Sequence, residues 1–337
     1  MTFTVGINLP WIDDQYDHDF GYNMTRKPDV SYDPTPTFQN SKQNFERYIK
    51  DISGMGVKVV RLWLFERFEG LTFSPSGHVI NPTTDMFTNL RDACNIAKRY
   101  GVKFYFCLMD TWGILANDLK DSPNGDPREK YAAIINGLIT TQDKRESFIQ
   151  AAVDILSDDI IKESVWAVDV LNEPDGIQRE HSMGDTYRGN IDTGIVLEHL
   201  IEYINYACKT IKEKTGHKVS CGIREEYFEE FAVNIKNSVD FFDIHNYDNE
   251  GFLPSPSHLG KKCIVGECGQ GDREEKNDTK QKTAVKIFLE NSKNLGYSGC
   301  FVWDYGFKGG DKPLALINSD ETHRPAVNEI KEFVRQL

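Results

Sequence analysis

The chain has 337 residues, and its 52 acidic against 39 basic side chains leave a formal net charge of −13, which disfavours nucleic acid and anionic membrane surfaces as partners. With 39% hydrophobic residues it can bury a large core, yet no stretch approaches the roughly 20 apolar residues of a membrane span. Seven cysteines lie at scattered positions without paired or CxxC spacing, the pattern of reduced, buried thiols.

The N-terminal MTFTVGINLPW runs straight into a strand-like segment with no leader pattern, so a cytoplasmic location is expected for the chain as written. From there short β-branched or aromatic runs alternate with helical patterns. Strands are expected at Thr4 to Asn8, Val57 to Phe65, Val102 to Met109, Val165 to Leu171, Val219 to Gly222, Phe241 to His245, Cys263 to Gly266 and Gly299 to Trp303. Helices are expected at Asn44 to Ser53, Met86 to Tyr100, Lys144 to Ile161, Gly194 to Lys214, Glu226 to Lys236, Lys280 to Leu295 and Pro325 to Val334. Only the connection from the sixth strand to the seventh lacks a long helix.

Gly101, Gly216 and Gly296 each follow a helix and precede a strand, where a left-handed residue is wanted. Runs such as VKVVRLWLF are apolar on successive positions, as in parallel strands covered on both faces. A doubly wound open sheet would read similarly. Eight units in one uninterrupted series, with polar residues gathered after the strands, favour an α/β fold of the (β/α)8 TIM-barrel kind, with residues 1–337 as a single catalytic domain. The long segments Pro10 to Gln43, Asp110 to Asp143, Pro174 to Thr193 and Tyr305 to Arg324 all follow strands, on the side where a barrel builds its site.

Two strand ends carry a glutamate. Asn172-Glu173-Pro174 closes the fourth strand, and Pro174 is expected to bias Glu173 toward extended backbone at the barrel mouth. Asn172 can offer its amide to a ligand hydroxyl. Three units later Val265-Gly266-Glu267-Cys268-Gly269 places Glu267 among glycines that let a ligand approach. Carboxyl groups about 5 to 5.5 Å apart across a barrel mouth suit retaining glycoside hydrolysis, one protonated and one ionised.

Other strand ends supply groups that would make those two environments differ. Arg61 is a permanent cation suited to Glu267, although a buried ion pair explains it equally well. Tyr247 has a hydroxyl for the nucleophile, and His245 can contact substrate or steady the acid/base; a single strand-end histidine is more often structural. Trp303 offers a floor for a sugar ring, or core packing. The acidic loop after Trp11, from Asp13 to Asp19, lacks calcium-loop spacing and reads as solvated, with Trp11 as a subsite candidate. Glu225 and Glu226 read as the opening of a helix. HExxH, GxSxG and GxGxxG patterns are absent.

Asn172-Glu173-Pro174, Glu267, Arg61, His245-x-Tyr247 and Trp303, in this strand order, resemble clan A glycoside hydrolases, and among them glycoside hydrolase family 5, the cellulase and mannanase family. The resemblance spans nearly the whole chain. It implies a (β/α)8 barrel, no cofactor and no metal, retention at the anomeric carbon, and a β-linked carbohydrate of mannan or glucan type as partner. It also implies Glu173 as acid/base and Glu267 as nucleophile. The chain departs from the family after the third strand, where many members carry a histidine and this sequence has Asp110 and Trp112, which are expected to serve the substrate instead. A β-glycosidase or transglycosylase acting on an oligosaccharide or exopolysaccharide intermediate, and a non-catalytic carbohydrate-binding barrel, are the alternatives.

Overall fold

The computed structural model describes residues 3–12, 20–21, 37–112, 127–183, 191–248, 250–306 and 312–337. Eight parallel strands form its centre: β1 (Thr4–Asn8), β2 (Val59–Trp63), β3 (Lys103–Cys107), β4 (Val165–Asp169), β5 (Val219–Ser220, resumed as Gly222–Arg224), β6 (Phe242–Asn246), β7 (Cys263–Cys268) and β8 (Gly299–Val302). β1 pairs with both β2 and β8, and the two segments of β5 pair with β4 and β6, so the ladder closes on itself. The sheet is the expected barrel.

β5 runs two residues further than the sequence suggested and is interrupted at Cys221. At the break the Gly222 amide donates to Asp169 Oδ1 at 3.0 Å, and the Cys221 thiol to the Leu171 carbonyl at 3.1 Å, so side chains replace the missing ladder bonds.

Helices Thr37–Gly54, Thr84–Arg99, Gln142–Leu156, Leu197–Thr215, Phe228–Ile235, Asp278–Leu295 and Ala326–Arg335 lie at or near the expected positions. Gly216 ends its helix at φ 73°, a left-handed conformation that costs a glycine little. The helix expected over Lys144 to Ile161 stops at Leu156. The short helix Arg179–Ser182 and two larger features were missed. Helix Pro127–Thr140 lies within the segment read as a loop, and a hairpin of Leu71–Phe73 with Val79–Pro82 follows β2. Between β6 and β7 there is only a 3-10 turn, Pro256–Leu259. Among the described residues no helix is long and apolar enough to cross a membrane.

Alternation along the strands sorts side chains into layers. Val60, Leu62, Phe104, Phe106, Val168 and Ile244 belong to the large apolar cluster shared with the helices. Val59, Tyr105, Ala167, Phe241, Ile264 and Phe301 form a second buried cluster from six different strands or their starts, a plug inside the barrel. Two residues on from members of that plug come Arg61, Asp169, Asp243 and Trp303, and beyond Asp243 come His245 and Tyr247. The period of two thus carries the interior from an apolar plug, through a charged layer, to the mouth. All seven cysteines are free and buried, as expected.

Candidate active site

Glu267 requires a break in that alternation. Ile264 belongs to the interior plug, so strict alternation would turn Glu267 the other way; a register shift against β6 between Val265 and Glu267 adds the extra residue that brings it inward. Gly266 sits at the shift because a Cβ there would lie 1.9 Å from Asp243 Oδ1. The Glu267 carboxylate then accepts from Arg61 Nη1 at 2.6 Å on Oε1 and from the Tyr247 hydroxyl at 2.6 Å on Oε2. Arg61 is fully buried; its Nη2 donates to Asp169 Oδ2 at 2.6 Å and Asn172 Oδ1 at 2.7 Å, and its Nη1 also reaches Asn8 Oδ1 at 3.1 Å. Burial disfavours its charge, but Asp169 and Glu267 outweigh that cost and raise its pKa.

Glu173 is held differently, and not in the extended backbone expected before Pro174. It lies at φ 45°, ψ 65°, a left-handed conformation sparsely populated by non-glycine residues and costing about 1–3 kcal/mol. Three hydrogen bonds fix it: its amide donates to Gly222 O at 2.8 Å, and its carbonyl accepts from Thr111 Oγ1 at 2.8 Å and from Gly176 N at 2.9 Å. The 3-10 turn Pro174–Ile177 starts at once, and this turn demands the left-handed entry that proline's local preference argued against.

The Glu173 side chain accepts from His245 Nδ1 at 2.8 Å on Oε1 and from the Trp112 indole on Oε2. Trp112, expected to serve the substrate, therefore also touches this carboxylate. Burial raises the Glu173 pKa, but the His245 hydrogen bond and the charges of His245, Arg224 and Arg273 prevail and leave it below the usual carboxylate value. Burial by itself would lower His245, yet Glu267, the bond to Glu173 and Asp243 push it up to about 9, which favours the charged imidazole at neutral pH.

One ligand-capable atom each from Glu173, His245 and Glu267 lie within 4.8 Å of one another. Cations are already supplied here by Arg61 and the imidazolium, and Nδ1 is engaged with Glu173, so this set does not fit a metal ion. The two carboxylates approach closely enough that one oxygen of each lies within 4.8 Å of the other, a close approach of the kind retaining hydrolysis uses.

The two glutamates line a cavity of about 270 Å³ together with Asn172, Asp110, Tyr247 and a wall of tryptophans. Trp303 meets Trp11 edge to face at 5.8 Å and Trp63 at 5.7 Å. Trp11 is 7% exposed, and its indole is committed to Glu66 at 2.9 and 3.0 Å. Asn172 gives one amide hydrogen to Asp110 Oδ1 at 2.8 Å instead of keeping the whole amide for ligand. The acidic loop 13–19 lies outside the described residues. Glu225 and Glu226 open a 3-10 turn, Glu225–Tyr227, ahead of helix Phe228–Ile235.

Six further cavity residues escaped the sequence reading. Trp63 continues the inward alternation of β2, a signal that was available; Asp304, one residue past the inward Trp303, breaks the alternation of β8, and Arg273, Lys312, Pro313 and Leu314 sit on loops, where no pattern singles them out. Arg273 lies 4.1 Å above the Tyr247 ring.

No protein-family model matches the chain. The mannan endo-1,4-β-mannosidase of Mytilus edulis is 21% identical over 343 residues, which cover 89% of this chain and 83% of that protein. Among solved structures, the β-mannanase of the blue mussel Mytilus edulis superposes with a TM-score of 0.67 at 19% identity, covering 99% of this chain and 92% of that one. The β-1,4-mannanase of the sea hare Aplysia kurodai gives a TM-score of 0.65 at 19% identity, covering 98% and 92%. The chain has the fold of these β-mannanases. Its expected resemblance to clan A glycoside hydrolases holds at the level of the barrel, and the site described above occupies that barrel's mouth.

Proposed function

We propose that the chain is a retaining β-glycoside hydrolase that cleaves β-linked mannose-containing oligo- or polysaccharides by double displacement, with Glu267 as nucleophile and Glu173 as acid/base. The observation that carries the reading is the pair of buried carboxylates, one oxygen of each within 4.8 Å of the other, in unlike surroundings. Glu267 is bound by a guanidinium and a phenol, groups suited to an ionised nucleophile. Glu173 shares a hydrogen bond with a protonated imidazole, a partner able to supply the proton that a leaving oxygen requires.

In the first half-reaction a Glu267 oxygen bonds to the anomeric carbon. The glycosidic C–O bond breaks with its electrons on the departing oxygen, and Glu173 protonates that oxygen. In the second, Glu173 takes a proton from water, the resulting hydroxide displaces Glu267 from the sugar, and the carboxylate returns to Arg61 and Tyr247. Trp303 and its aromatic neighbours supply apolar faces for sugar rings. The relatives named above, called mannan-degrading, support mannan over other β-glycans.

The test is a hydrolysis screen with purified protein on β-mannan, β-glucan, xylan and short manno-oligosaccharides. Release of manno-oligosaccharides from mannan is expected. Preference for glucan or xylan would overturn the substrate assignment, and binding without release of any sugar would leave the carbohydrate-binding alternative.

A further inference from the structure

Behind the two glutamates lies a second acidic group that the mechanism above does not use. Asp243 stands two residues before His245 on β6, on the same face, and is fully buried. Its Oδ2 accepts from the Tyr105 hydroxyl at 2.7 Å. Its Oδ1 has no hydrogen-bond partner among the described residues, and neither has His245 Nε2. These two orphaned atoms lie 3.7 Å apart, an ion-pair contact longer than a hydrogen bond. Two glycines keep the space between strands open. A Cβ on Gly222 would lie 2.6 Å from His245 Nε2 and 3.0 Å from Asp169 Oδ2, and one on Gly266 would collide with Asp243 Oδ1.

The other nitrogen of His245 faces upward. Nδ1 lies 2.8 Å from Glu173 Oε1 and 3.5 Å from Glu267 Oε1. The other charged or titratable groups around the ring include Asp169 and Arg61 in the layer below, Tyr105 through Asp243, and Arg224, Glu225, Glu226, Tyr247, Asp248 and Arg273 along the adjoining wall.

We propose that Asp243 is a positioning residue that keeps His245 in the imidazolium form with Nδ1–H aimed at Glu173, making His245 the resting store of the proton that Glu173 delivers. The inference rests on the glycosidase reading and gives it the proton source it lacks, since Glu173 alone is a carboxylate in the empty site. As Glu267 forms its ester with the sugar it loses its negative charge, and His245 loses one of the charges that retain its proton. The Nδ1 proton then passes to Glu173 and from Glu173 to the leaving oxygen, so one proton leaves the pair for each bond broken. In deglycosylation the water's proton enters through Glu173 and returns to Nδ1 as Glu267 regains its charge. Asp243 stays ionised throughout and anchors the ring from below. Burial lifts it to about 6 against the pull of His245 and Arg61, so it carries its charge at neutral pH.

The test measures kcat/KM against pH for wild type and Asp243→Asn on a manno-oligosaccharide, together with an NMR titration of the His245 ring in both. Wild type should show an alkaline limb near pH 9, where His245 gives up its proton. In Asp243→Asn the limb and the ring titration should both move down by one pH unit or more, so that activity at pH 9 falls about fivefold or more while activity near pH 5.5 stays within about threefold. A uniform loss at every pH, or an unmoved ring titration, would mean that Asp243 only supports the packing and would overturn the proposal. Tyr105→Phe, which weakens the Asp243 carboxylate without removing it, should shift the limb the same way by less; an unmoved limb there, if Asp243→Asn fails to fold, would likewise overturn it. If the wild type hydrolyses no β-mannoside, the glycosidase reading fails, while the ring titration still decides the Asp243–His245 coupling.

Discussion

The Tyr247 hydroxyl donates to Glu267 Oε2 at 2.6 Å, while Arg61 occupies the opposite carboxylate oxygen. The phenol therefore orients the lone pairs of the proposed nucleophile. Hydrogen bonds to charged groups contribute about 1.5–3 kcal/mol, which corresponds to roughly 10- to 150-fold in rate. Tyr247→Phe is expected to lower kcat/KM by that factor with little change in thermal stability. A turnover assay and a melting curve on the same preparation check both halves of the statement.

Arg61 neutralises two buried carboxylates at once, Glu267 and Asp169. Removing one partner of a buried ion pair costs about 3–5 kcal/mol, because the remaining charge is left without compensation. Arg61→Met should lose stability on that scale in chemical denaturation, as well as activity. Arg61→Lys should be intermediate, since one ammonium cannot span both carboxylates and Asn172 as the guanidinium does.

Asp304 gives a pH dependence with a definite sign. Burial pushes its pKa up to about 7 from 3.8, and Glu267 adds to the rise against its own backbone amide, Lys312 and Arg324. The folded protein thus binds this proton more tightly than the unfolded chain does. The stabilisation is complete below about pH 4 and is lost as pH climbs through 7. Asp304→Asn removes the ionisation, so its stability relative to wild type should be higher at pH 8 than at pH 5, by at most about 3 kcal/mol in free energy. A constant difference across that range would contradict the assignment of the shift to Asp304.

Much of this site was legible because barrel strands repeat every two residues and end at one mouth. Arg61, His245, Tyr247 and Trp303 were found from strand-end positions, and the structure brings all four beside the two glutamates or into their cavity. What escaped depends on departures from regularity. The turn of Glu267 into the mouth needs a register shift that no local preference of Val265-Gly266-Glu267 announces. The left-handed Glu173 runs against the bias that Pro174 imposes, because two tertiary hydrogen bonds and the local bond from Gly176 outweigh it. Helix Pro127–Thr140 was readable in principle: Ala132, Ile135, Leu138 and Ile139 are buried at helical spacing. The Asp243–His245 contact required knowing that a position two residues upstream of a mouth residue lies directly beneath it, with one carboxylate oxygen left over from its bond to Tyr105.

The most direct measurement is covalent trapping with a 2-deoxy-2-fluoro-β-mannosyl fluoride, followed by peptide mass mapping. The account predicts stoichiometric inactivation, with the fluorosugar mass on the peptide that contains Glu267 and none on the peptide that contains Glu173. Label on Glu173, or an inverted first-formed product with no trapped intermediate, would contradict it.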